Sequence, residues 1–128
     1  MIGIDTNLLV RLLTNDDKHQ AKYAAKLIED NLIFIPKTVL LETEWVLRYT
    51  YDLNSNIIFS AFKKLINLKS ITIEDPACIL QALQWYEQGF DFADALHLAA
   101  CQKLEKFATL DKHFIKKATK FASHLKVF

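Results

Sequence analysis

Short aliphatic runs alternate with longer stretches of helical periodicity along the whole chain, and this rhythm constrains the fold more than any other feature. Met1 to Ile4 reads as a strand and Leu8 to Leu13 as a short helix. Asp16 stands where it would cap a second helix, on which Ala21, Ala24, Ala25 and Ile28 share a face. Leu32 to Ile35 is a second strand, stopped by Pro36. Helices follow over about Thr38 to Tyr49 and Ser55 to Leu68, then a β-branched strand from Ser70 to Ile73. Pro76 suits a first helical turn, and Gly89 ends that helix. A helix from Phe92 to about Leu104, a strand from Phe107 to Leu110, a short helix and an edge strand from Leu125 to Phe128 complete the pattern. Alternation of this kind predicts an α/β fold. Its three layers are a central, mainly parallel sheet of four to five strands with helices on both faces. Such sheets bind ligands at the carboxyl ends of their strands.

At 128 residues, with 52% hydrophobic and 24% charged, the chain is expected to form one domain over residues 1–128. The net charge of +1 gives no overall field toward nucleic acid or membrane. Locally, Lys103, Lys106, Lys112, Lys116, Lys117, Lys120 and Lys126 crowd the C-terminal quarter, as a solvated face or a phosphate-facing patch. Gly3 and Gly89 are the only glycines, which excludes a Gly-rich phosphate loop and with it a nucleotide cofactor held that way. Cys78 and Cys101 lie in apolar helical patterns with no CxxC or Cys/His grouping, so they read as buried hydrophobes and not as zinc ligands. No apolar run reaches the ~20 residues that span a bilayer, and no signal-like segment opens the chain. A soluble, cytoplasmic protein without membrane contact is expected.

Asp5, Asp111 and Glu42 stand where a parallel sheet would gather them at one edge, whereas the helix of Asp94 follows another helix and its edge is left open. Asp5 closes the first strand and Asp111 the fourth. Glu42 lies early in the helix leaving the second strand, and Asp94 in the first turn of the helix leading to the fourth. Each has a plainer reading. Asp5 can cap the following helix, Asp91 and Asp94 have the spacing of a capping pair, Asp111 can begin a turn, and Glu42 can sit on a helix surface. Yet Val39, Leu40, Leu41, Trp45, Val46 and Leu47 surround Glu42 with apolar neighbours, where an acid needs a partner or a task. Glu44, two residues on, is expected in solvent. Acids brought to one edge repel unless a cation joins them, and oxygen-only ligands suit Mg²⁺ or Mn²⁺.

Four blocks carry a resemblance. Ile4-Asp5-Thr6-Asn7, then Leu40-Leu41-Glu42 with Trp45-Val46-Leu47, then Asp91-Phe92-Ala93-Asp94-Ala95, then Thr109-Leu110-Asp111 resemble the PIN domain, and within it the VapC toxins of toxin–antitoxin pairs. The resemblance covers nearly the whole chain. It implies a PIN-like sandwich and a Mg²⁺-dependent endoribonuclease. Asp5 and Asp94 would be the principal metal ligands, with Glu42 and Asp111 the remaining acids, acting directly or through water. Thr109 matches a hydroxyl near that site, and Asn7 a polar position that orients the Asp5 loop. Asp91 matches a less central acid and keeps its capping role. His113 stands where relatives often carry another acid, which puts an extra carboxylate in doubt. The resemblance also implies an RNA substrate, a homodimer and a VapB-like antitoxin whose segment lies beside the active site. Leu9, Leu12, Leu13, Ala24 and Leu27 are apolar residues compatible with such contacts.

Two other functions stay open: a PIN-type nuclease of RNA processing or DNA repair without an antitoxin, and a non-enzymatic receiver-like switch. The latter would want an early acidic pair, an acid ending a middle strand and a late lysine, but the second strand here ends Ile35-Pro36. His97, three residues after Asp94, reads as a packed or solvent-tipped histidine before a ligand, and His19 and His124 suggest no partners. Trp45 and Tyr49 share a helix face, with core packing favoured over stacking on an RNA base. Trp85 and Tyr86 read as core or dimer surface. No serine has a nucleophile-elbow context.

Overall fold

The computed structural model describes residues 1–128 as two compact units, Met1–Asp75 and Pro76–Phe128. The first unit runs β1 (Ile2–Gly3), α1 (Thr6–Thr14), α2 (Lys18–Asp30), β2 (Ile33–Ile35), α3 (Lys37–Tyr49), α4 (Ser55–Ile66) and β3 (Ile71–Ile73). Its strands form a parallel sheet in the order β1-β2-β3, with Ile2 opposite Ile33 and Ile33 opposite Ile71. Parallel neighbours need crossover connections, and α1 with α2, then α3 with α4, supply them. Alternation holds in β2 and β3, where Ile33, Ile35, Ile71 and Ile73 are buried. Leu9, Leu40, Leu47, Ile58 and Phe62 complete a core with almost no exposed surface.

Local chemistry fixes the helix ends. The left-handed conformation of Asn15 terminates α1. Asp17 then caps α2 by accepting from the Gln20 N–H at 3.1 Å. The expected cap, Asp16, is instead held elsewhere. Its carboxylate meets Arg11 at 3.0 Å and accepts from the Tyr51 hydroxyl at 2.6 Å. These hydrogen bonds favour the charged form and hold Asp16 below the ordinary carboxylate range, the Tyr51 hydroxyl contributing most. Pro36 opens α3 without a side-chain cap, and the Lys37 N–H is satisfied by Glu74 at 2.9 Å, from the chain just beyond β3.

The second unit runs α5 (Pro76–Glu87), α6 (Phe92–Ala100), β4 (Lys106–Phe107), α7 (Lys112–Phe121) and β5 (Lys126–Val127). Gly89, at φ 106°, ends the turn after α5 in a conformation that favours glycine. β4 and β5 pair in parallel, Lys106 opposite Lys126. Tyr86 against Phe92 and Phe90 against Phe114 pack edge to face at 5.1 and 5.8 Å beside buried Ile79, Leu83 and Leu98.

The α/β class, the parallel pairing and the element order are those expected. The differences are local. The five strands pair as a ladder of three and a ladder of two. α6 stops at Ala100, with Cys101 at its C-cap, so Cys101 is half-buried where Cys78 is buried. β4 spans only Lys106–Phe107, although the Thr109 N–H still bonds to the Phe128 carbonyl at 2.8 Å; Leu110 is then fully exposed before Asp111 starts α7. No helix is long and apolar enough to cross a membrane.

Candidate active site

In the first unit, the parallel pairing of β1 and β2 sets the site. The chain leaves both strands at the same edge, and the residues that follow begin α1 and α3. Asp5 is the N-cap of α1 and accepts from the Leu8 N–H at 3.0 Å through Oδ1. That bond uses one carboxylate oxygen and leaves Oδ2 for another ligand. Glu42, in the second turn of α3, is exposed, and with Asp5, Thr6, Asn7, Val39 and Val46 it lines a pocket of about 350 Å³. Asp5, Asn7 and Glu42 thus come together as expected. Apolar neighbours do not bury Glu42. Val39 and Val46 form the pocket wall, and its carboxylate stays in reach of solvent.

The second unit holds the other two acids. Asp91 is the N-cap of α6 and accepts from the Asp94 N–H at 3.1 Å. Asp94 is partly buried in the first turn, and its pKa is raised. Burial is the main cause, followed by the negative charges of Asp91 and Asp111, while His97 and Lys117 pull the other way. Asp111 caps α7, accepting through Oδ1 from the N–H groups of His113 at 2.9 Å and Phe114 at 3.2 Å. The Thr109 hydroxyl accepts from the Asp111 N–H at 3.1 Å, which places it beside that acid. Capping therefore holds for Asp5, Asp91 and Asp111, and it does not compete with chemistry. A cap fixes the rotamer of a carboxylate that still has acceptor capacity.

The PIN domain family profile matches residues 2–120. The chain belongs to the PIN domain family. No curated protein and no solved structure matches it. Membership sets the fold as α/β and the chemistry as that of a nuclease, a hydrolase of phosphodiester bonds, and it removes the receiver-like reading. PIN domains generally work with divalent metal ions, and the donor chemistry of this PIN chain can be tested against that. No three His, Cys, Asp or Glu side chains converge into a ready-made metal cage. Such a cage is what zinc or a dedicated calcium site would require. A hard, strongly hydrated ion differs, because it keeps several waters and takes one or two carboxylates. Asp5 with Glu42 in an open polar pocket, and Asp94 beside Asp111, fit that requirement.

Several side chains fall differently from expectation. Glu44 is not solvated. It is 1% exposed, and Arg48 meets its two oxygens at 3.1 and 3.2 Å. Trp45 and Tyr49 are not core but 56% and 62% exposed. Both differences have one cause. The buried stripe of α3 is Leu40, Thr43, Glu44 and Leu47, which turns 42, 45 and 49 outward. Trp85 and Tyr86 are core, and His124 stacks on Trp85 at 6.5 Å. His97 and His113 are exposed. Lys117, one of the lysines of the C-terminal quarter, donates from its ammonium to the Gly89 carbonyl at 2.6 Å and is a cation that bears on Asp94.

Proposed function

We propose that this PIN chain is a Mg²⁺-dependent endoribonuclease of the VapC toxin type, with Mn²⁺ able to substitute. It acts in the cytoplasm as a homodimer and is held inactive by a VapB-like antitoxin. Asp5 and Asp94 are the principal metal ligands, and Glu42 and Asp111 serve the same reaction directly or through water. Asn7 and Thr109 support them. The observation that carries the reading is the pocket that follows β1 and β2, where Asp5, Asn7 and Glu42 come together in a chain of a nuclease family. When bound, the ion supplies charge neutralisation at the scissile phosphate and an activated water.

The chain's own groups have separable tasks. Asp5 is held by the α1 N-terminus, so its free oxygen is presented without rotamer searching. Glu42 faces the same pocket from α3 and is placed to accept a proton from water. Lys117 offsets part of the acidic field around Asp94. Induced expression of the wild type and of Asp5→Asn in a bacterial host tests the reading, with new RNA 5′ ends mapped by sequencing. New ends confined to the wild type are expected. Identical RNA profiles from both would overturn it.

A further inference from the structure

We infer that Trp45 and Tyr49 form a stacking platform for a base of single-stranded RNA, extending the Glu42 pocket along α3. This rests on the nuclease reading above. Glu42, Val46 and Tyr49 are spaced i, i+4 and i+7, and Trp45 lies beside them, so acid and aromatics occupy one strip of the helix. At 1.5 Å of rise per residue the strip from Glu42 to Tyr49 is about 10 Å long.

Two large aromatic rings more than half exposed on one helix face are a costly surface unless something covers them. Their geometry selects the occupant. The centroids are 5.3 Å apart and the planes tilt by 51°, so the rings brace each other as a tilted pair while each stays more than half exposed. One face of Tyr49 is taken by the Arg48 guanidinium, 4.8 Å from its centroid. Arg48 is itself held by buried Glu44, which stiffens the pair from beneath. Trp45 keeps the larger available π surface. Flat, rigid aromatic faces beside a carboxylate suit a nucleobase, which stacks irrespective of sequence. An apolar protein segment would find a better seat elsewhere in this unit, in the aliphatic groove of Leu12, Leu13, Ile57, Ala61, Leu65 and Leu68. The platform therefore belongs to the substrate: it holds a base next to the pocket through stacking alone, so the contact does not depend on a cation.

The test uses binding, so it does not depend on cleavage. The full chain carrying Asp5→Asn is titrated in EDTA with a short oligoadenylate and with its abasic counterpart, and tryptophan emission is followed. Only two tryptophans are present and Trp85 is 2% exposed, so quenching reports Trp45. Quenching by oligoadenylate and none by the abasic strand is expected. Trp45→Ala should weaken binding roughly five- to a hundredfold, and Tyr49→Ala less, since Arg48 already covers one face. Leu80→Ala, another exposed apolar residue, should change nothing. Unaltered affinity in Trp45→Ala overturns the platform, as does equal quenching by the abasic strand or no RNA binding at all. A Trp45→Ala chain that binds RNA normally but changes its size in gel filtration overturns it too, and marks a protein contact. A wild type that cuts RNA while Trp45→Ala binds and cuts equally well sinks the platform alone. Base-dependent quenching in a wild type that never cuts sinks the nuclease reading alone.

Discussion

At Asp94 two opposed effects meet. A carboxylate in the first turn of a helix gains ~0.3–1 kcal/mol from the helix dipole, whereas burial with Asp91 and Asp111 nearby disfavours the charge. The raised pKa fixes the sign. The folded state binds a proton more tightly than the unfolded one, so stability falls as pH climbs from the ordinary carboxylate value through the raised one. Metal-free Asp94→Asn should therefore be at least as stable as wild type at pH 7, and the difference should shrink below about pH 4. Urea melts in EDTA at the two pH values check this. A variant less stable than wild type at neutral pH would reduce Asp94 to a helix-end charge. Mg²⁺ at ten times its dissociation constant should stabilise the wild type by about 1.4 kcal/mol, and the variant much less. Glu44 offers the contrast. Its pairing with Arg48 is structural, so Glu44→Gln should cost about 1–3 kcal/mol of stability by loosening a charged contact at a buried carboxylate. Glu42→Gln, at an exposed position, should spare stability and lower turnover roughly a hundredfold. Asp52→Asn is the silent control, since Asn tolerates the left-handed backbone there. The Thr43 hydroxyl, buried with no hydrogen-bond partner, predicts that Thr43→Val gains about 1 kcal/mol.

At the level of elements, the acids are tied to helix starts, and this lets fold and chemistry be separated. Asp111→Ala removes the α7 cap and should cost about 0.5–2 kcal/mol, while Asp111→Asn keeps an acceptor and should cost little. Activity should fall in both, because both lose the charge. Activity that tracked stability would mean that Asp111 only caps. Helix existence was legible in the sequence because caps and terminators punctuate it: Pro76, Gly89, Asp91 and Asp111 all act where their chemistry suggests. The buried face of α3 was not legible. Val39, Leu40, Leu41, Trp45, Val46 and Leu47 place apolar residues on every side of that helix. Periodicity then gives no preferred direction, and the inward face proves to include Glu44, paired with Arg48, which no pattern of hydrophobicity reveals. Strand lengths at β1 and β4 were overestimated. Single backbone bonds do continue, from the Ile4 N–H to the Phe34 carbonyl and from the Thr109 N–H to the Phe128 carbonyl, so the extended chain outruns the regular ladder only by the residues that lead into the caps of α1 and α7.

On the scale of the whole molecule, a net charge of +1 gives no overall field toward nucleic acid, so any attraction must come from local patches. The exposed lysines of α7, Lys112, Lys116 and Lys120, repeat every four residues and form a stripe on one helix face. If they meet phosphates, replacing all three with Gln should flatten the salt dependence of single-stranded RNA binding by about 0.7 log units per lost contact. A slope identical to wild type would return them to the role of solvated charges. The aliphatic groove between α1 and α4, about 470 Å³, predicts that co-expression with an adjacent antitoxin-like reading frame yields a stable complex. A harmless monomer that no neighbour-encoded protein binds would favour a nuclease of RNA metabolism over a toxin. The central claim, metal-dependent cleavage by the four acids, is tested most directly on purified protein shown free of host ribonuclease. Wild type, Asp5→Asn and Asp94→Asn are incubated with total RNA in Mg²⁺ and in EDTA. Cleavage by the wild type in Mg²⁺ alone, lost in both variants, is the expected result. Cleavage that persists undiminished in EDTA, or in both variants, would contradict the account.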